Sequence, residues 1–510
     1  MRFWTGTGTF PSTLLYRTWC VADVHWSKDL PTEFNARPGL AYDTDCAKNM
    51  KLLSIAILSC LFLLAVRQET RTTPSNLEES GGAPSIYDRD PKHIWNRLYD
   101  AFFIRKDQAR VTYGMDALDP LLWLRTQHLL AGPSHKRALS ILDEFLRTHA
   151  EHQIRDPLKR AMLQRNLWAV FDWSVLDGNH AVERRELQIR LAEVLRRLAL
   201  KPEEIKSLPD NYAQAIASGV FAREYDPAKR DRPFLPPDLF QPQGSWVCIR
   251  GNGEPVAEMH VGAFSGRSRF LVFVRLPEGR KATLDYFHAL WNVPAPWVAG
   301  ELDVGRGELN PKLPQFPVGT QVALVRQMTL FDREGNLVAA PITESTQIRV
   351  YRTISARHDQ NNVGIDWPAA RIEQDFYEVR LSQAQLFAGQ VGGLRAVARG
   401  EKEFPVFQTQ GYDVFETSAK ENSPLEKLEG PSILDMCAVC HSAPGINSLQ
   451  SRRRLLKPNR PQLALDLGRN PDDAQYGPLW WEAGSTPGWK ANRYDWGVLN
   501  GYWQASGGTH

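Results

Sequence analysis

The chain of 510 residues is short of cysteine, of net charge and of long apolar runs. Its six cysteines are too few for a disulfide-stapled scaffold of this length. Lysine and arginine total 61 against 58 acidic residues, which argues against a dedicated nucleic-acid-binding protein. The sequence lacks a Walker phosphate loop, a dinucleotide glycine fingerprint, a Gly-x-Ser-x-Gly elbow and a His-Glu-x-x-His metal helix. Apolar residues make up 43% of the chain, which excludes a wholly disordered or fibrous protein.

The uncharged apolar run at residues 52–66 follows Lys51. It is shorter than the about 20 residues of a membrane-spanning helix and fits the about 7–15 residues of a secretory signal core. Residues 50–66 are therefore predicted to be a signal peptide that begins at an internal start, and residues 1–49 an over-extended N-terminus. The alternative is a genuine extension followed by a short membrane anchor.

Cys60 lies inside this run and partly matches the box at which bacterial lipoproteins are acylated, so a lipidated N-terminus is a further alternative. Removal of the signal would leave only Cys248, Cys437 and Cys440 in the mature chain.

The expected fold class is α+β and multidomain, with an N-terminal helical bundle, a central antiparallel β-rich sandwich or barrel, and a small C-terminal module. Apolar residues recur at helical spacing in the first part and alternate between turn signals in the second. The predicted segments are, in chain order, the over-extended N-terminus (1–49), the signal peptide (50–66), a linker (67–85), the helical domain (86–230), a proline-rich linker (231–243), the β-rich domain (244–415), a linker (416–431) and the C-terminal module (432–510).

Several local patterns are the basis for dividing the chain into these segments. Two apolar stripes are typical of core-facing helices, and they consist of Ala138, Ile141, Leu142 and Phe145, and of Leu187, Leu191, Val194, Leu195 and Leu198. Residues 322–330 and 337–340 are predicted to form a hairpin across 332–336. Residues 246–249 and 257–263 are predicted to be strands on either side of a Gly-Asn-Gly turn.

The candidate functional motif is Cys437-Ala438-Val439-Cys440-His441, which brings two thiols and an imidazole together. Positions i, i+3 and i+4 share one face of a helical turn, so both thiols and the imidazole are expected to point the same way. The stretch resembles the Cys-x-x-Cys-His attachment site of c-type cytochromes. This resemblance is limited to the motif, and it implies that Cys437 and Cys440 anchor one covalent haem c while His441 is the proximal iron ligand, in a cytochrome c-like module.

Other chemistries of this motif stay open. A zinc site would need further ligands, usually a second cysteine pair. A thioredoxin-like redox pair would follow a strand of a βαβ unit, which the surrounding sequence does not indicate. A plain disulfide between Cys437 and Cys440 is the remaining alternative outside the cytoplasm.

The sixth iron ligand is not assigned by the sequence. Small c-type cytochromes usually supply a methionine after the motif, but no methionine follows His441, and the only later histidine is His510. Met259 and His260 are expected on opposite faces of the predicted strand 257–263, as ordinary sheet residues. The ligand would then come from another domain, from His510 or from water, or the position would stay open.

Two further features flank the motif. A basic run at residues 452–460 would either neutralise haem propionates and dock an acidic partner or form a solvated face. The tryptophans near the C-terminus would either wall the cofactor or pack the protein itself, and they are Trp480, Trp481, Trp489, Trp496 and Trp503.

The sequence thus predicts an exported c-type haem protein of the periplasm or cell envelope of a bacterium, which passes single electrons to a redox partner protein. Nucleic acid is not an expected partner, and membrane anchoring is expected only through an uncleaved or lipidated N-terminus. Electron transfer is favoured over catalysis, and no catalytic residue is assigned. The alternatives are a peroxidase-type haem enzyme with an open sixth position and a non-redox envelope binding protein with a Cys437–Cys440 disulfide.

Overall fold

The computed structural model describes residues 85–107, 110–119, 126–176, 178–249, 255–293, 297–299, 307–310, 312–355, 373–402, 413–416, 432–441, 443–450 and 486–507. The predicted segments 1–49 and 50–66 and the basic run 452–460 lie outside these residues. Within the described ranges, every helix is too short or too polar to cross a bilayer.

The region predicted to be helical contains helices with buried apolar stripes. Both predicted stripes are confirmed, since all of their residues are buried. The helices are α1 (Ile94–Phe103), α2 (Gly132–Arg147), α3 (Pro157–Leu176), α4 (Ala181–Leu198), α5 (Pro202–Lys206) and α6 (Asn211–Ser218), and a ribbon of β1 (Arg105–Lys106) and β2 (Thr112–Tyr113) follows α1.

A six-stranded antiparallel sheet forms the centre of the described part. Its strands are β3 (Val247–Ile249), β4 (Ser268–Arg275), β7 (Gln321–Phe331), β8 (Leu337–Tyr351), β9 (Gln374–Leu381) and β10 (Leu394–Ala396), in the order β10-β9-β8-β7-β4-β3. A separate ribbon pairs β5 (Trp297–Ala299) with β6 (Gly307–Leu309). The remaining helices are α7 (Glu258–Ala263), α8 (Arg280–Trp291), α9 (Gln383–Phe387), α10 (Ile433–Cys440), α11 (Ile446–Gln450) and α12 (Tyr494–Gly507).

The hairpin predicted across residues 332–336 is confirmed as β7 and β8. Asp332 Oδ1 accepts a hydrogen bond from the amide of Asn336 at 2.8 Å, and Gly335 has a φ of +83°. A side chain at residue 335 would be strained in this left-handed conformation, so the glycine allows the tight turn between the two strands.

Two expectations of the β-rich part are wrong. Residues 257–263 are not a strand, because α7 spans Glu258–Ala263. Such a short apolar run fits a helix as well as a strand, and local periodicity cannot choose between them. Among the described residues the strands of this part also form one open six-stranded sheet and the separate ribbon of β5 and β6, rather than a sandwich or a barrel. Helices pack on the faces of this sheet in place of a second sheet, and β4 is buried on both of its faces.

The pairing register sorts the side chains onto two faces of the sheet. Direct partners in neighbouring antiparallel strands share a face, as do alternate residues within a strand. Phe270 pairs with Arg326, and Arg349 pairs with Phe376, while Val322 pairs with Arg349 and links the two pairs. We call the face that carries these residues the motif face and the opposite one the bundle face.

The bundle face shares one hydrophobic core with the N-terminal helices. Leu271 and Phe273 of β4 lie in the same cluster as Met162 of α3 and Tyr212 of α6. Phe234, in the predicted linker 231–243, is also buried in this cluster. The helical region and the bundle face therefore bury each other's apolar surface. On the motif face, Val272 and Val322 pack against Phe287 of α8 and Ile446 of the C-terminal segment.

The C-terminal helix returns to the N-terminal helices. Trp496 of α12 contacts Trp168 of α3, with ring centroids 6.4 Å apart. Trp496 and Trp503 also contact Phe331 at the end of β7, with ring centroids 6.0 and 5.5 Å apart. These tryptophans therefore pack the protein itself, as one of the two alternatives expected. Trp480 and Trp481 lie outside the described residues.

A cluster of buried charged side chains holds the C-terminal segment against α3. Lys490 is fully buried, and its Nζ lies 2.7 Å from Asp172 of α3 and 3.1 Å from Asp495 of α12. Arg267 also contacts Asp172, at 3.0 Å. Burial lowers the pKa of Lys490, and the two carboxylates oppose this shift. A buried charge with intact partners is tolerated, whereas removal of one partner leaves the others uncompensated.

We expect Lys490→Met to reduce the free energy of unfolding by about 3–5 kcal/mol, because it removes the cation that two buried carboxylates share and leaves Asp172 with Arg267 alone and Asp495 with Arg493 alone. Lys281→Met is the matched control, since Lys281 is 88% exposed and pairs with Asp285 on the surface. That control should change stability by no more than about 0.5 kcal/mol. Urea denaturation measures both variants, and equal effects would contradict the importance of the buried cluster.

Candidate functional site

Helix α10 presents the Cys437–His441 motif and begins in a capping box. Ser432 Oγ accepts from the amide of Asp435 at 3.2 Å, and the Asp435 carboxylate accepts from the amide of Ser432 at 3.4 Å. Both bonds satisfy amides that have no partner within the helix. Ile433 and Leu434 then pack against Phe376 of β9. The helix is therefore held on the motif face.

The motif occupies the last turn of α10 and the residue that ends it. The amide of His441 donates to the carbonyl of Cys437 at 3.0 Å, so the backbone is still helical at this point. Cys437 is half-buried. The side chain of Cys440 lies outside the described part of the chain, whereas its backbone belongs to α10. The backbone arrangement is the one expected from the i, i+3, i+4 spacing.

The ring of His441 is oriented by a backbone carbonyl. Its Nδ1 lies 2.8 Å from the carbonyl oxygen of Ser448. Because a carbonyl can only accept, Nδ1 carries the proton and the lone pair of the neutral ring is on Nε2. Metal-binding histidines commonly donate their second nitrogen in this way, which fixes the tautomer and raises the basicity of the ligand. Gln374 of β9 also donates to the carbonyl of His441, at 3.0 Å.

Ser448 fastens this carbonyl to the sheet. Its hydroxyl donates to the carbonyl of Gly445 at 2.9 Å. The same oxygen accepts from Arg349 Nη1 at 2.8 Å and contacts the hydroxyl of Tyr351 at 2.5 Å. A hydroxyl has one proton and two lone pairs, so these three bonds use its full capacity. Burial raises the pKa of Tyr351, and its hydroxyl therefore keeps the proton that it donates.

A second imidazole faces the motif. The ring of His260, on α7, lies parallel to that of His441, with 6° between the planes and 6.3 Å between the centroids. His260 also contacts Phe270 of β4, at 5.4 Å between centroids. The expectation that Met259 and His260 are sheet residues on opposite faces is wrong, because both belong to a helix.

The charges near His260 are cationic. Burial, together with Arg349 and Arg326, lowers the pKa of His260 to about 4. The imidazole is therefore neutral near pH 7, which is the form that can bind a metal. The guanidinium of Arg326 also lies 4.2 Å from the ring centre of Phe264, which follows α7.

The residues present fit a covalently attached haem. His441 has the oriented tautomer of a metal ligand, Cys437 is half-buried on the preceding turn, and the flanking Phe264 and Phe270 are aromatic. In the described ranges, no group of three or more His, Cys, Asp or Glu side chains is arranged to hold a metal ion. The candidate His510 lies outside these ranges.

Sequence reasoning found the motif but not its surroundings. Nothing in the local sequence links His260 to His441, or Ser448 to Arg349 and Tyr351, because these contacts join segments far apart in the chain. The signal that would have helped is the placement of residues 258–263 on a helix, since a helix frees His260 from the alternation of a sheet.

We expect Ser448→Ala to lower the free energy of unfolding by about 1–3 kcal/mol, because Arg349 and Tyr351 would lose a buried acceptor. Ser207→Ala is the control, since Ser207 Oγ makes the same type of bond to the carbonyl of Glu204, at 3.0 Å, on the exposed surface. Denaturant titration of the two variants measures the difference. No difference between them would contradict the anchoring role of Ser448.

Comparisons of the chain with models of protein families, with curated proteins and with solved structures give no match.

Proposed function

We propose that the protein is an exported c-type haem protein that transfers single electrons through one covalently attached haem. Cys437 and Cys440 would anchor the haem by thioether bonds, and His441 would bind its iron through Nε2. When bound, the haem supplies a one-electron redox couple. The chain's own residues would attach the haem, orient its proximal ligand and limit its exposure to water.

The observation that carries the proposal is the bond from His441 Nδ1 to the Ser448 carbonyl, made by the histidine of a Cys-x-x-Cys-His motif. The bond fixes the tautomer that an iron ligand needs, with the lone pair on Nε2. Together with the adjacent cysteine pair, it supports haem attachment. The support for the proposal comes from the chemistry of the residues that would hold the haem.

Electron transfer is proposed over catalysis because an outer-sphere carrier needs only an attached haem and its axial ligation. The partner would be a redox protein of the periplasm or cell envelope, which matches the compartment where the predicted signal peptide would deliver the chain. Arg349, which donates to Ser448, places positive charge beside the motif. This cation would balance an acidic propionate of the haem.

The proposal is tested with the full chain expressed together with haem-attachment machinery. We expect the purified protein to keep its haem through a denaturing gel and to stain for haem peroxidase activity. The double variant Cys437→Ser, Cys440→Ser should lose this stain, because no thioether bond can form. Cys248→Ser should stain as the wild type does, since Cys248 lies in β3 and outside the motif.

An unstained wild-type band in cells that attach haem to a control cytochrome would contradict the proposal. If the two motif thiols then proved to be joined as a disulfide, the non-redox alternative would be favoured instead.

A further inference from the structure

The separation of the two imidazoles distinguishes three arrangements. Rings joined by a nitrogen-to-nitrogen hydrogen bond would have centroids about 5 Å apart, since about 2.9 Å separates the nitrogens and about 1.1 Å joins each to its centroid. A metal ion between the two nitrogens, with bonds of about 2.0–2.1 Å as in zinc sites, gives about 6.3 Å. The observed separation between His260 and His441 is 6.3 Å.

A direct ring stack does not account for this separation. Parallel rings in van der Waals contact have planes about 3.5–4.0 Å apart. At a centroid separation of 6.3 Å, such rings would be displaced sideways by about 5 Å and would not overlap. The rings are therefore too far apart to overlap, and their separation equals the one that two imidazoles on either side of one metal atom would have.

The backbone of α7 and of the turn after it packs closely against Trp489 and Lys490. Gly262 and Gly266 lie against Trp489, and a Cβ on Gly266 would come within 3.2 Å of Trp489 Cε3 and 3.0 Å of Lys490 Cβ. Gly266 also has a φ of +73°, which glycine adopts without strain. The buried Lys490 thus fixes the segment that packs on α7. A preorganised histidine loses little conformational entropy when it binds a metal.

We propose that His260 is the sixth ligand of the haem iron and binds it on the side opposite His441. This inference rests on the proposed function, because it requires a haem attached at Cys437 and Cys440. It assigns the ligand that the sequence leaves open, and it draws that ligand from the central part of the chain rather than from the C-terminal module.

Two consequences follow for the chemistry of the site. With both axial positions taken by imidazoles, peroxide and other small ligands have no open coordination position, which disfavours the peroxidase alternative. An imidazole in place of the usual methionine also lowers the reduction potential, since methionine ligation raises it.

The test uses the full-length protein with its haem attached. We expect the wild type to have a low-spin six-coordinate optical spectrum in both oxidation states and to bind no carbon monoxide. Because the ring planes lie 6° apart, the ferric protein should give the rhombic low-spin EPR signal of parallel axial imidazoles. His260→Ala should become high-spin and bind carbon monoxide, and added imidazole should restore the low-spin spectrum.

Two controls separate ligation from a structural effect. Met259→Leu changes the neighbouring residue of α7, and His288→Ala removes an exposed histidine of α8, so both should keep the wild-type spectrum. His260→Met keeps a potential ligand at the same position. It should remain low-spin with a higher reduction potential, which a purely structural role would not produce.

The outcomes distinguish the two proposals. If the wild type and His260→Ala both stain for haem, haem attachment is supported. If the variant also keeps a low-spin spectrum, His260 is not the sixth ligand. A high-spin wild type would overturn the role of His260 as well. A wild type without covalent haem would overturn both proposals.

Discussion

The register of β4, β7, β8 and β9 decides which side chains lie beneath the Cys437–His441 motif. Side chains alternate between the faces of a sheet, so a slip of one residue would turn Arg349 and Gln374 toward the helical bundle. The motif would then lose the contacts of Ser448 and of the His441 carbonyl. The bundle face prevents such a slip, because its apolar residues are buried against the N-terminal helices. The core packing of one face thus positions the chemistry of the other.

The sequence alone predicts an element correctly where the local spacing of apolar residues matches their burial in the fold. The stripes of α2 and α4 are apolar at helical spacing, and the turn at residues 332–336 contains the glycine that a tight return requires, so both were predicted correctly. Helix α7 was predicted as a strand, because its few apolar residues fit both periods. The helix packs against Trp489, more than two hundred residues later in the chain, and no local pattern can show such a contact.

The candidate site likewise has one part that the sequence predicts and another that only the tertiary structure shows. The candidate residues Cys437, Cys440 and His441 stand out in the sequence, because they are close neighbours at the spacing of one helical turn. The groups that orient His441 come from β8, from β9 and from the segment after α10, and His260 comes from α7. These contacts depend on tertiary structure. The wrong assignment of residues 257–263 also explains why His260 was set aside as an ordinary sheet residue.

The central claim is that one iron lies between His441 and His260, held by a haem that the two motif cysteines attach. X-ray absorption at the iron edge of the purified ferric protein measures this ligand set most directly. The account predicts nitrogen ligands only, from the porphyrin and from an imidazole on each side. A sulfur ligand, a vacant axial position or a protein without iron would contradict it.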